Sequence, residues 1–219
     1  MLQHEWPPIA GYENADILGV LLVSFAFALI HSLFAANWTK NFIGTIMGRR
    51  AANGLYRFFY TLLSAATAAI AAHIIFRLPD RKLLAPGPLV TAIMIFIEIA
   101  GVVFGLWAFR QIDTLEFLGV RQAVSYFSRK EFETPGETSF ISKGAYSVVR
   151  HPLYLAGIII FTFIPACTVN RTVISVLADI YFLWGAWIED KRMLDQFGQE
   201  YCNYMKSVPA VLPRLGGSE

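Results

Sequence analysis

The chain of 219 residues is 56% hydrophobic and 16% charged, and 18 Lys and Arg against 16 Asp and Glu give a formal net charge of +2. A mean hydropathy of +0.51 excludes an ordinary soluble domain, in which about 25% of residues are charged. An integral membrane protein is expected, with membrane lipid as a partner and no nucleic acid.

An apolar stretch of roughly 17 to 25 residues crosses the hydrocarbon core as a helix, and five follow one another: residues 17–36, 55–76, 89–109, 153–169 and 172–188. The first is not expected to be a cleavable signal peptide, because the residues ahead of it include Glu5, Glu13 and Asp16 and no Lys or Arg. In the third, Glu98 stands near Gly101 and Gly105, whose spacing admits a closely packed neighbour helix. At that depth an acid is either functional or a hydrogen-bonded packing group. Between Arg110 and Arg150, Leu115, Leu118, Val124 and Phe127 alternate with Glu116, Arg121 and Gln122, which predicts a short interfacial helix. Thr134-Pro135-Gly136 then signals a turn. The fourth stretch is short, contains Pro165, and is separated from the fifth only by Asn170-Arg171, which predicts a tight antiparallel hairpin. Asp179 shares a helix face with Asp190, about 16 Å away. The fold class is therefore all-α, a single-domain membrane bundle of about five transmembrane helices covering residues 1–219.

Residues 37–57, 110–152 and 190–219 share one side of this bundle and hold four, six and four of the Lys and Arg. The other side has only Arg77, Arg81, Lys82 and Arg171. The positive-inside rule then puts the N-terminus outside and the long connection and the C-terminus in the cytoplasm. Cys167 and Cys202 fall a membrane thickness apart, too far for a disulfide. The four histidines are scattered, so no metal site is expected.

The polar residues of most interest are Arg150-His151-Pro152-Leu153-Tyr154, at the start of the fourth stretch, and Glu189-Asp190, at the end of the fifth. Both reach the same face of the membrane. Pro152 suits a first helical turn, and the N–H groups beside it, with Arg150, favour an anion. Glu189 and Asp190 suit an ammonium, and Tyr154, Tyr201 and Tyr204 offer rings and hydroxyls to a cation or an adenine. S-adenosyl-L-methionine is one molecule of that description. Taken singly, such residues are also common interfacial anchors.

Gly144-Ala145-Tyr146, Arg150 through Gly157, Glu189-Asp190, Phe197 through Tyr204, Val208-Pro209 and Pro213 together resemble the C-terminal signature of the isoprenylcysteine carboxyl methyltransferase and phospholipid methyltransferase superfamily. The resemblance implies membrane enzymes with a cytoplasm-facing S-adenosyl-L-methionine pocket open to lipid on the acceptor side. Carried over by residue, it implies cofactor binding by Thr138, Ser139, Phe140, Ile141, Tyr146, His151, Pro152, Tyr154, Glu189 and Asp190. Asp190 stands where the family usually has a second glutamate. Leu29 through Ala35, Leu55 through Tyr60 and Asp113 through Gln122 are similar to the NnrU-like branch, which includes methanethiol S-methyltransferases. On the acceptor side that likeness brings forward His31 and Arg57, with Arg150, as catalytic candidates able to assist loss of a thiol proton. For His31 a packing role beside Ser32 is an equal alternative. Isoprenylcysteine methyltransferases carry an arginine four residues ahead of the position of Glu189, and this chain has Gly185 there. The expected acceptor is accordingly a small thiol or an apolar, lipid-like molecule rather than a prenylcysteine carboxylate. From a different class, a non-enzymatic membrane binding or transport component would use Glu98 and Asp179 as ion stations.

Overall fold

The structure, a computed structural model, describes residues 15–129 and 140–213. The Thr134-Pro135-Gly136 turn, the acidic run ahead of Asp16, and the candidates Thr138 and Ser139 lie outside them. Every named element is a helix: α1 Ile17–Ala35, α2 Asn37–Met47, α3 Arg49–Arg77, α4 Pro88–Phe109, α5 Thr114–Phe117, α6 Val120–Phe127, α7 Ala145–Val148, α8 Pro152–Thr162 and α9 Val169–Ser207.

Four of these, α1, α3, α4 and α9, are long and apolar enough to cross a membrane. Large side chains point outward, with Phe25, Phe96 and Leu89 at 67%, 72% and 74% exposure, while Ala52, Ala108, Ala156 and Ala186 are buried. That inverted pattern suits helices that meet through small residues and turn their bulk to lipid. The fourth stretch, residues 153–169, expected as a span, is corrected. α8 has 11 residues, about 16 Å of helix against a core of about 30 Å. Pro165 has no N–H to donate and disfavours helical geometry in the residue before it, so the helix stops at Thr162. Residues 163–168 continue as irregular chain, and Asn170-Arg171, expected as the turn, lie in the first turn of α9. Backbone groups in this apolar setting need partners, and the segment finds them in the α3–α4 connection: Leu83 N donates to Cys167 O at 2.9 Å and Val169 N to Arg81 O at 2.9 Å. Asn170 is fully buried and donates through its side chain to Pro79 O at 2.8 Å and through its backbone to Asp80 at 3.0 Å.

The close neighbour expected for Gly101 and Gly105 is α8. A Cβ on Gly101 would come within 2.6 Å of Ile159, and one on Gly105 within 3.0 Å of Ala156. The expected interfacial helix is divided into α5 and α6 by Gly119, whose φ of +78° few other residues adopt and whose missing Cβ would lie 2.4 Å from Phe58 N. Leu115, Val124 and Phe127 face outward, and Gln122 and Ala123 are buried. α2, which the polar stretch after residue 36 did not announce, precedes α3 and packs against it. Finally, α9 does not end at Glu189-Asp190. It runs on to a break at Gly198 (φ 53°, ψ −124°) and then to Ser207, so both acids sit on a helix wall.

Candidate functional site

Two structures meet at the end of the bundle where α8 begins: a closed polar knot and an open cleft that runs on along the helices. Arg150 is the centre of the knot. Its Nε and Nη2 donate to the two carboxylate oxygens of Asp190 at 3.2 and 2.7 Å, and its Nη1 donates to Met205 O and Val208 O at 3.2 and 2.6 Å. This is the forked pairing that arginine makes with a carboxylate, in a setting where the two side chains are only 8% and 12% exposed. His151 Nε2 lies 2.8 Å from Asp190 Oδ1, and the Tyr201 hydroxyl donates to the same oxygen at 2.6 Å. The segment after α9 closes the knot, because Arg150 N and His151 N donate to Pro209 O and Ala210 O at 2.8 and 3.0 Å. Tyr204 donates to Tyr146 O, and the Phe140 ring packs on Phe197, Tyr201 and Tyr204.

Electrostatics follow from this enclosure. Burial pulls the His151 imidazole down, but its hydrogen bonds to Asp190 and Glu189 outweigh that and hold its pKa above the ordinary 6.5. Burial, reinforced by the Glu189 charge, pushes the Tyr146 hydroxyl up to about 12.

The cleft lies in front of the knot, between α1, α3 and α9, with a volume of about 3030 Å³. That exceeds the 300–1,000 Å³ of an ordinary single-ligand pocket. Glu189, one residue from Asp190 but about 100° around the helix, turns into it with its side chain 49% exposed. Its carboxylate is 3.6 Å from His151 Nδ1. Tyr154 lines the cleft beside it, its ring stacked on His151 at 5.6 Å and on Phe182 at 6.0 Å. Gly185 continues the wall against the Tyr154 ring.

Of the residues expected at the site, Tyr154, Glu189, His31 and Arg57 line this cleft. Arg150, His151, Asp190, Tyr146 and Phe140 form the knot behind it, Pro152 is fully buried at the start of α8, and Ile141 is exposed. Arg57 donates to Phe117 O at 2.9 Å and lies over the Phe117 ring. Glu98 has no hydrogen bond or ion pair assigned to it among the described residues, whereas Asp179 accepts from Thr162 at 2.8 Å. A second cluster also lines the cleft: His31, Ser32 and Tyr60, which lie within the motifs of residues 29–35 and 55–60, with Tyr181, and with Ser64 behind them. Sequence reasoning missed Ser64 and Tyr181, whose only signals are spacings: Tyr60 and Ser64 four apart on α3, and Tyr181, Gly185, Glu189 and Arg192 recurring at fours and threes on α9.

The fold and site define a helical membrane protein with a long, mostly apolar cleft that carries a carboxylate beside the polar knot. No family model matches the chain and no solved structure matches it. Curated proteins do. A methanethiol S-methyltransferase of Crocosphaera subtropica is 34% identical over 105 residues, which is 48% of this chain and 40% of that protein. One of Pseudomonas deceptionensis is 35% identical over 104 residues, 48% of this chain and 38% of that protein. Methanethiol S-methyltransferase 1 of Bradyrhizobium diazoefficiens is 25% identical over 204 residues, 91% of this chain and 67% of that protein. The chain is thus similar in sequence to several methanethiol S-methyltransferases, in agreement with the resemblance of its motifs, and it spans about two fifths of the length of the first two.

Proposed function

We propose that this chain transfers the methyl group of S-adenosyl-L-methionine to a small thiol at the membrane. The observation that carries the reading is the half-exposed Glu189 carboxylate beside the Tyr154 ring, at the head of a cleft whose other walls are apolar membrane helices. The donor set fits a sulfonium nucleoside: a carboxylate for its cationic end, an aromatic face for a cation or a purine, and a wall that excludes water from an in-line displacement. When bound, the cofactor supplies an activated methyl group. Glu189 and Tyr154 would hold and orient it, while the knot of Arg150, His151 and Asp190 fixes the start of α8 against the stretch of α9 that carries Glu189.

The acceptor reading rests on the relatives' names and on Gly185. A prenylcysteine carboxylate would meet no cation from that position, and burying it unpaired is costly. Isoprenylcysteine or phospholipid methylation is therefore the weaker alternative. The excess of Lys and Arg on the knot side favours a cytoplasmic site.

The test uses the purified protein with labelled S-adenosyl-L-methionine and a panel of small thiols, farnesylcysteine and phospholipids. Label is expected in the small thioether. Robust ester on farnesylcysteine with none on thiols would overturn the acceptor reading. In calorimetry, Glu189→Gln is expected to weaken binding of the demethylated product about tenfold or more, the loss of one charge-assisted contact. A wild-type protein that binds neither donor nor product would overturn the cofactor reading.

A further inference from the structure

We propose that Tyr60 on α3 takes the proton of the acceptor thiol, with His31 on α1 acting through it as the final proton holder. The inference rests on the thiol-methylation reading above. Three helices bring the cluster together. The Tyr60 hydroxyl lies 3.0 Å from His31 Nε2, and His31 Nδ1 lies 3.1 Å from Ser64 Oγ. Phe27, Tyr60 and Tyr181 surround the imidazole at centroid distances of 5.7, 5.4 and 6.1 Å, and Tyr181 is tied to Ser32 at 3.0 Å. His31, Ser32, Tyr60 and Tyr181 all line the same cleft as Glu189. Tyr181 precedes Glu189 by eight residues on α9, about 12 Å along the axis, and between them Gly185 puts no side chain into the space.

A neutral thiol in an apolar cleft is a poor nucleophile until it loses its proton, and a new charge pair created there would be expensive. The cluster answers both constraints. With Nδ1–H donating to Ser64, Nε2 accepts the Tyr60 hydroxyl proton, and the Tyr60 oxygen is left to accept the thiol S–H. As the bond from thiol sulfur to methyl carbon forms, the bond from that carbon to the sulfonium sulfur breaks and leaves its electron pair on the departing sulfur. The thiol proton passes to the Tyr60 oxygen while the Tyr60 proton passes to His31 Nε2. One positive charge enters as sulfonium and one remains as imidazolium, so the cleft holds the same charge throughout. His31 then returns its proton to water. Arg57 and Arg192 also line the cleft, and Arg57 Nε is committed to Phe117 O.

The experiment compares a small alkyl thiol with the matching selenol, which is already ionised at neutral pH, as acceptors for wild type, Tyr60→Phe and His31→Gln. Each variant is expected to lose about 100- to 10,000-fold in kcat with the thiol while the selenol is methylated at close to the wild-type rate. Loss of both acceptors in equal measure, or of neither, overturns the proposal. A wild type that methylates neither overturns the methyl-transfer reading with it. A second readout needs no turnover: nitrogen NMR of histidine-labelled protein, with the His31 signal identified by its loss in His31→Gln, is expected to show a neutral ring protonated at Nδ1. A resting imidazolium, or a ring protonated at Nε2, overturns the relay even if the rates agree.

Discussion

Glu189 and Asp190 read in sequence as one acidic pair, yet the helix rotates them about 100° apart and gives them separate tasks. Asp190 is the anion of the knot, bound by Arg150, His151 and Tyr201, whereas Glu189 faces the cleft. Removing the Asp190 charge strands a buried guanidinium, so Asp190→Asn is expected to destabilise the protein by about 3–5 kcal/mol. This is read as a melting temperature in detergent that falls about 2–4 °C for each kcal/mol. Glu189→Gln is expected to melt like wild type. His151 adds a pH dependence. Its folded pKa is raised above 6.5, so its stabilisation is fully present below about pH 6.5 and is lost as pH rises through the folded value. Melting temperature should therefore decline with alkalinity from that point, and His151→Gln should flatten the slope; an unchanged slope would refute the assignment. The motif spacing made the residue types legible, since chemistry and order are both in the sequence. Which acid is enclosed depends on how α9 docks, and no local pattern records that.

At the scale of elements, α4 and α8 are held together through Gly101, where Ile159 occupies the space of a side chain. Gly101→Leu must push the helices apart and is expected to cost about 1–3 kcal/mol. Gly87→Ala, at a backbone φ of −62° with nothing within 4 Å of the new methyl, should be neutral or gain up to about 1 kcal/mol. Thermal unfolding of the two variants side by side checks the pair. Helices α1, α3 and α4 were legible because lipid-facing helices are apolar around most of their circumference. The short α8 was not, because apolar composition does not register where backbone hydrogen bonds go. Residues 153–169 are apolar enough for a span, but Pro165 and the pairing of Cys167 and Val169 with the α3–α4 connection end the helix early.

For the whole molecule, the charge asymmetry makes a topological prediction. On a background in which Cys167 and Cys202 are replaced by Ser, Lys82→Cys should react with an impermeant thiol reagent in intact cells and Lys143→Cys should not. Reaction of the latter would reverse the orientation. One further consequence belongs to the knot. Arg150 is satisfied by groups at positions 190, 205 and 208, and its neighbour His151 by the carbonyl of Ala210, all of which leave the ribosome well after α8 does. During synthesis α8 must wait at the membrane surface with its cation solvated until Asp190 and then residues 205–210 arrive to draw it inward. Docking of α8 thus waits on chain made after α9 has inserted, and a chain cut after Gly198 should insert its apolar helices normally yet leave Arg150 and His151 without these later partners, read as faster proteolysis of the α8 start than in wild type.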